Sequence, residues 1–111
     1  MNLSTATTGG MAELMINSNG IIHGCNKSFE RLFGYLSRDI LWKPVSMLLP
    51  QLERINLITG GEINPRLRYL MRIGHRFDVI GRGGMHLASQ LFINEVRNLG
   101  QRRLRIIICP S

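Results

Sequence analysis

At 111 residues with 44% hydrophobic content, the chain is sized for one globular domain with one core. Its 14 basic and 7 acidic side chains give a net charge of +7, an excess that attracts nucleic acid, anionic lipid or an acidic protein surface. No apolar run approaches the ~20 residues that cross a bilayer, residues 1–10 show no secretory leader, and Cys25 and Cys109 sit at opposite ends without a CxxC pair, so a cytoplasmic chain without zinc or a disulfide framework is expected.

Residues 1–10 are small and polar and read as a flexible arm, with a single domain over 11–111. Leu14 and Ile16, then Ile21 and Ile22, flank Asn17-Ser18-Asn19-Gly20, a turn whose residues tolerate positive φ, which predicts a β-hairpin. Asn26 is placed to cap a helix, with Glu30 near its positive end and Gly34 as its stop. Phe29, Leu32 and Phe33 form the apolar face of that helix. Ser37 is positioned to cap a second short helix from Arg38 to Trp42, which must end before Pro44. Val45, Met47 and Leu48 make a third apolar turn closed by Pro50, and residues 51–63 read as a loop with one helical turn.

Asn64-Pro65 looks like a cap followed by the first helical position, opening a helix to about Ile73 that turns Leu67, Leu70 and Met71 inward and stops at Gly74. Three strand patterns follow, Arg76 to Arg82, His86 to Val96 and Arg102 to Cys109. Their linkers are too short for a crossover helix, so both connections are antiparallel hairpins. Alternation puts Phe77, Val79, Leu87, Leu91, Ile93, Leu104, Ile106 and Ile108 on one face. Ile80, Phe92, Val96, Ile107 and Cys109 fall on the other, which is more apolar than a solvated face should be.

In this order the residues resemble the PAS domain family: the Asn-Gly turn, Asn26 with Phe29 and Phe33, Gly34-Tyr35, Ser37, Lys43-Pro44, Leu48-Leu49-Pro50 and Phe77-Asp78-Val79-Ile80-Gly81-Arg82. The resemblance spans about nine-tenths of the chain. It implies an α+β fold, a five-stranded antiparallel sheet in spatial order 2-1-5-4-3 with short helices packed on one face over a pocket. It also implies a sensory module of a larger, commonly bacterial signalling protein, such as a two-component histidine kinase or a cyclic-dinucleotide enzyme, that passes on its state through a covalently linked output domain.

On that resemblance a small ligand or cofactor would sit among Phe29, Phe33, Trp42, Met47, Leu70, Met71, Val79, Leu91 and Ile93. Ile80, Phe92, Val96 and Ile107 would form a homodimer interface. The identity of the cofactor is open. Haem-binding relatives carry a His on the helix that here reads PRLRYLMRI, which argues against haem. Relatives that form a flavin–cysteine adduct carry a Cys where this chain has Met47-Leu48-Leu49, which removes that photochemistry. Non-covalent flavin stays open through stacking on Trp42, a residue that would equally serve to plug the pocket or pack outside it. The family's usual exit into a linker helix is replaced by Cys109-Pro110-Ser111.

Nothing points to an enzyme: no Ser or Cys stands with a His and an orienting acid, and Gly81-Arg82-Gly83-Gly84 lacks the Lys-Ser/Thr and helix of a phosphate loop. His23 and His86 have no carboxylate ligand set for a metal. The charge gathers in residues 66–111, with nine arginines against Asp78 and Glu95. No basic run is interleaved with stacking aromatics, which weighs against nucleic acid, although an arginine-rich nucleic-acid-binding domain stands as an alternative, as does a ligand-free dimerisation scaffold.

Overall fold

The alternation of Ala12, Leu14 and Ile16 with Glu13, Met15 and Asn17 folds as strand β1 (Ala12–Asn17), its even-numbered residues buried. The structure is a computed structural model and describes residues 11–111, the side chain of Asn98 excepted. The expected flexible arm over residues 1–10 lies outside them. Asn17 Oδ1 accepts from the N–H groups of Asn19 and Ile21, and Gly20 takes a φ of 84° to turn the chain into β2 (Ile22–Cys25).

Helix α1 (Lys27–Phe33) and helix α2 (Ser37–Ile40) follow, then 3-10 turns at Val45–Met47 and Pro50–Leu52. Next come β3 (Ile58–Thr59), β4 (Glu62–Ile63), α3 (Pro65–Arg72), β5 (Phe77–Ile80), β6 (His86–Asn98) and β7 (Gln101–Pro110). One antiparallel sheet runs β2-β1-β7-β6-β5. Counted on their own, its five strands stand in the expected order 2-1-5-4-3. Strands β3 and β4 form a separate two-stranded hairpin, which the sequence reading passed over as loop. Gly60 and Gly61, both at positive φ between Ile58-Thr59 and Glu62-Ile63, were the legible signal for it.

The core lies between the inner sheet face and the helices. Phe77, Val79, Leu91, Ile93, Leu104, Ile106 and Ile108 are buried as the alternation requires, against Phe29, Phe33, Ile40, Leu48, Leu49 and Leu67. Leu32 departs from the expected helix face and is partly exposed. The turn of α1 buries Ser28 instead, and among the described residues its Oγ has no hydrogen-bond partner.

Helix α2 is built differently from the reading. Ser37 opens it as its first residue, and its side chain caps nothing. Carboxylates satisfy the exposed donors: Asp39 accepts from the Leu36 N–H at 2.9 Å and Glu30 from the Ser37 N–H at 2.6 Å. The helix ends at Ile40, short of Trp42.

Both outer strands of the sheet are guarded. Beside β2, the Trp42 N–H donates to the Ile22 carbonyl at 2.7 Å and the Lys43 carbonyl accepts from Ile22 at 2.9 Å. At the other side β5 pairs only with residues 86–89 of β6, and past its end the Ile93 N–H donates to Met71 Sδ of α3 at 3.1 Å.

Asn26 joins sheet to helix. Its Oδ1 accepts from the N–H groups of Phe29 and Glu13, both at 3.0 Å, and its Nδ2 donates to the Met11 carbonyl at 2.8 Å. Asn26→Ala leaves two donors without their acceptor and is expected to cost about 2 kcal/mol in urea unfolding. Asn26→Asp keeps both acceptor bonds and should cost less than half of that; equal losses for the two variants would show that the side-chain oxygen is not what matters.

Candidate functional site

The residues expected to line a pocket divide into three groups. Phe29 and Phe33 stack in α1 with ring centroids 4.8 Å apart and are fully buried. Together with Val79, Leu91 and Ile93 of the sheet they belong to one continuous core. Leu70 and Met71 are half-buried on α3, at the margin of that core.

Trp42 and Met47 do not join them. Met47 sits on the outward side of its 3-10 turn, because Val45 and Leu48 take the inward positions. Trp42 is 62% exposed: its φ of 67° turns the chain back along β2 and swings the indole onto the rim, edge-on to His23 with centroids 4.8 Å apart. The indole therefore packs outside the interior instead of stacking in a pocket or plugging one. Burial, then the charge of Arg103, lowers the pKa of His23. A bulky residue in the left-handed region is strained, so Trp42→Gly is expected to raise stability by about 1 kcal/mol in thermal unfolding, whereas Trp42→Ala should give no gain. A loss with glycine would show that the His23 contact outweighs the strain.

Space opens along α3. On one side a cleft of about 550 Å³ is lined by Gln51, Arg54, Ile55, Asn56, Asn64, Arg66, Leu70, His75 and Phe77. On the other a cleft of about 330 Å³ is lined by Ile63, Arg68, Met71, Arg72, Phe92, Ile93 and Asn94. Each reaches the inner sheet wall, through Phe77 and Ile93 respectively. A third cleft of about 510 Å³, between Gly20, Pro44 and Ile58, is mostly polar. Of the residues lining these two clefts, the expected ligand site included Leu70, Met71 and Ile93, and the expected dimer face included Phe92. Arg54 and Arg66 carried no signal, since an isolated arginine on a helix or loop normally faces water.

On the outer sheet face Ile80, Val96 and Ile107 are half-buried and Phe92 is 43% exposed. The register sets Glu13, Ile107 and Phe92 side by side on neighbouring strands. Arg105 approaches Glu13 at 3.5 Å, and Arg68, Arg82, Arg97 and Arg102 also lie within reach of carboxylates. Five of the nine arginines in residues 66–111 thus stand beside acids, mostly on the surface, while the net excess remains. Burial raises the Cys25 thiol pKa despite a hydrogen bond with Ser37, which keeps it a poor nucleophile at neutral pH. His86 and Asp78 pair on the β5–β6 hairpin. Among the described residues no group of three or more His, Cys, Asp or Glu is arranged to hold a metal ion, and no helix is long and apolar enough to cross a membrane.

No protein-family model matches the sequence. Over 45 residues the chain is 40% identical to a probable serine/threonine-protein kinase of Dictyostelium discoideum, a match that takes in 40% of this chain and 3% of that protein. Solved structures resemble it along nearly its whole length. A PAS domain from a two-component sensor histidine kinase superposes with a TM-score of 0.68 at 8% identity, over 91% of this chain and 85% of that one. The PAS domain of an HTR-like protein from Haloarcula marismortui gives 0.68 at 10% identity over 97% of both chains. A light-oxygen-voltage domain studied with a flavin analogue gives 0.62 at 16% identity, over 98% of this chain and 83% of that one. The fold is that of a PAS domain.

Proposed function

We propose that the chain is the sensory PAS module of a larger signal-transduction protein, not itself an enzyme, and that it receives a small ligand beside α3. The observation that carries this is the pair of clefts flanking that helix, each leading from solvent to the inner wall of the sheet. A ligand seated there touches α3 and the sheet together. It shifts the domain to the extent that it binds one arrangement of the two better than the other. The outer face, with Phe92, Ile107, Ile80 and Val96, supports self-association as the route by which that shift leaves the domain.

The interior offers a flavin little. Trp42 is on the rim, and Leu48 and Leu49, where adduct-forming relatives have their cysteine region, are buried in the core. A colourless ligand suits these surroundings better. Purified protein is expected to show no visible absorption band, while gentle heat denaturation releases a small molecule detectable by mass spectrometry. A yellow protein would overturn the first expectation. Release of nothing would favour the second reading, a scaffold without ligand, which the close packing of Phe29, Phe33, Val79 and Leu91 supports.

Self-association has its own test. Phe92→Lys combined with Ile107→Lys should weaken dimerisation on the order of 100-fold, read by light scattering at graded concentrations, with circular dichroism unchanged. A dimer that persists in the double variant would remove this face from the proposal.

A further inference from the structure

We propose that the cleft between the 51–56 segment and α3 recognises an anion, taking a ligand with one carboxylate or phosphate on an apolar body. This rests on the ligand-sensing reading above and narrows it to a chemical class. The lining of that cleft carries two fixed positive charges, Arg54 and Arg66, and no carboxylate. Among the described residues neither guanidinium has an acid within 4.0 Å, whereas Arg68, Arg82, Arg97, Arg102 and Arg105 each do. Two cations lining one cleft make it electropositive, and an anion bound there offers oxygens that accept their forked N–H groups.

The two sides of the cleft are tied at a fixed separation. Asn64 Oδ1 accepts from the Arg66 N–H at 2.8 Å, and Asn64 Nδ2 donates to the Asn56 carbonyl at 2.7 Å. The same side chain thus anchors the backbone on which each arginine is carried, two residues from Arg54 on one side and at Arg66 itself on the other. Deeper in, the lining turns apolar with Ile55, Leu70 and Phe77, and the His75 ring lies edge-on to Phe77 at 4.8 Å. Such a floor rewards a hydrocarbon or aromatic body, and its rim rewards a charge.

The test uses three probes of equal chain length, octanoate, octyl phosphate and the neutral octanamide, titrated calorimetrically into the intact protein at low and moderate salt. Both anions should bind at least about tenfold more tightly than the amide and weaken as salt is added, and the tighter of the two names the headgroup. Arg54→Gln and Arg66→Gln should each lower anion affinity about tenfold while leaving the amide unchanged, and the double variant should abolish the preference. Both residues are exposed, so circular dichroism of the variants should match the wild type. Octanamide binding as tightly as octanoate, or a preference that survives in the double variant, would sink the anion site and leave ligand sensing intact. Failure of all three probes would overturn the inference as well, and ligand sensing would then stand or fall on the released molecule.

Discussion

One asparagine sets the relation of helices to sheet. Asn26 ends the first hairpin, and its amide reaches back to the main chain of β1 at Met11 and Glu13 while it caps α1 through the Phe29 N–H. Two elements that share no continuous backbone hydrogen bonding are thereby locked at a fixed angle. That angle directs Phe29 and Phe33 onto the inner sheet face, where their burial is worth several kcal/mol together, on the order of 1.5–3 each. A cap that only started the helix would leave this orientation to packing alone.

The rest of the molecule protects what that joint creates. A five-stranded sheet with one long strand beside a four-residue neighbour exposes ladder groups along much of β6. The thioether of Met71 accepts one of the exposed N–H groups, a weak bond in a place where water would otherwise compete. At the opposite edge the Trp42–Val45 stretch adds a partial strand, and the left-handed residue it needs falls on a tryptophan instead of a glycine. The clefts lie where this protection is incomplete, beside α3, which touches the sheet through few residues.

The order of elements was legible because each was marked by chemistry that acts locally: Asn-Gly for a hairpin, Asn-Pro for the start of α3, alternation for β6 and β7. Neighbours along the chain decide such features. Trp42 stands on the rim because of a partner distant in sequence, Ile22, whereas Met47 faces outward because its neighbours Val45 and Leu48 take the inward positions of a short 3-10 turn. Ser37 was misjudged because the helix starts one residue earlier, with Leu36 at the cap and its N–H held by Asp39, which leaves Ser37 inside the first turn. The arginine-lined cleft was invisible for a third reason, since Arg54 and Arg66 belong to separate segments brought together by the β3–β4 hairpin and the bonds of Asn64.

The strand made last occupies the middle of the sheet. Residues 101–110 pair on one side with β1 and on the other with β6. A nascent chain emerging from the ribosome therefore holds its first hairpin without its second neighbour until residues 101–110 have been synthesised. The hairpin of β6 and β7 can close quickly, being local, yet the two halves of the domain are sewn together only when Leu104, Ile106 and Ile108 slot beside Ile16, Leu14 and Ala12. Folding of the domain is consequently held back until residues 101–110 have emerged, and removing those ten residues removes the seam along which both halves meet.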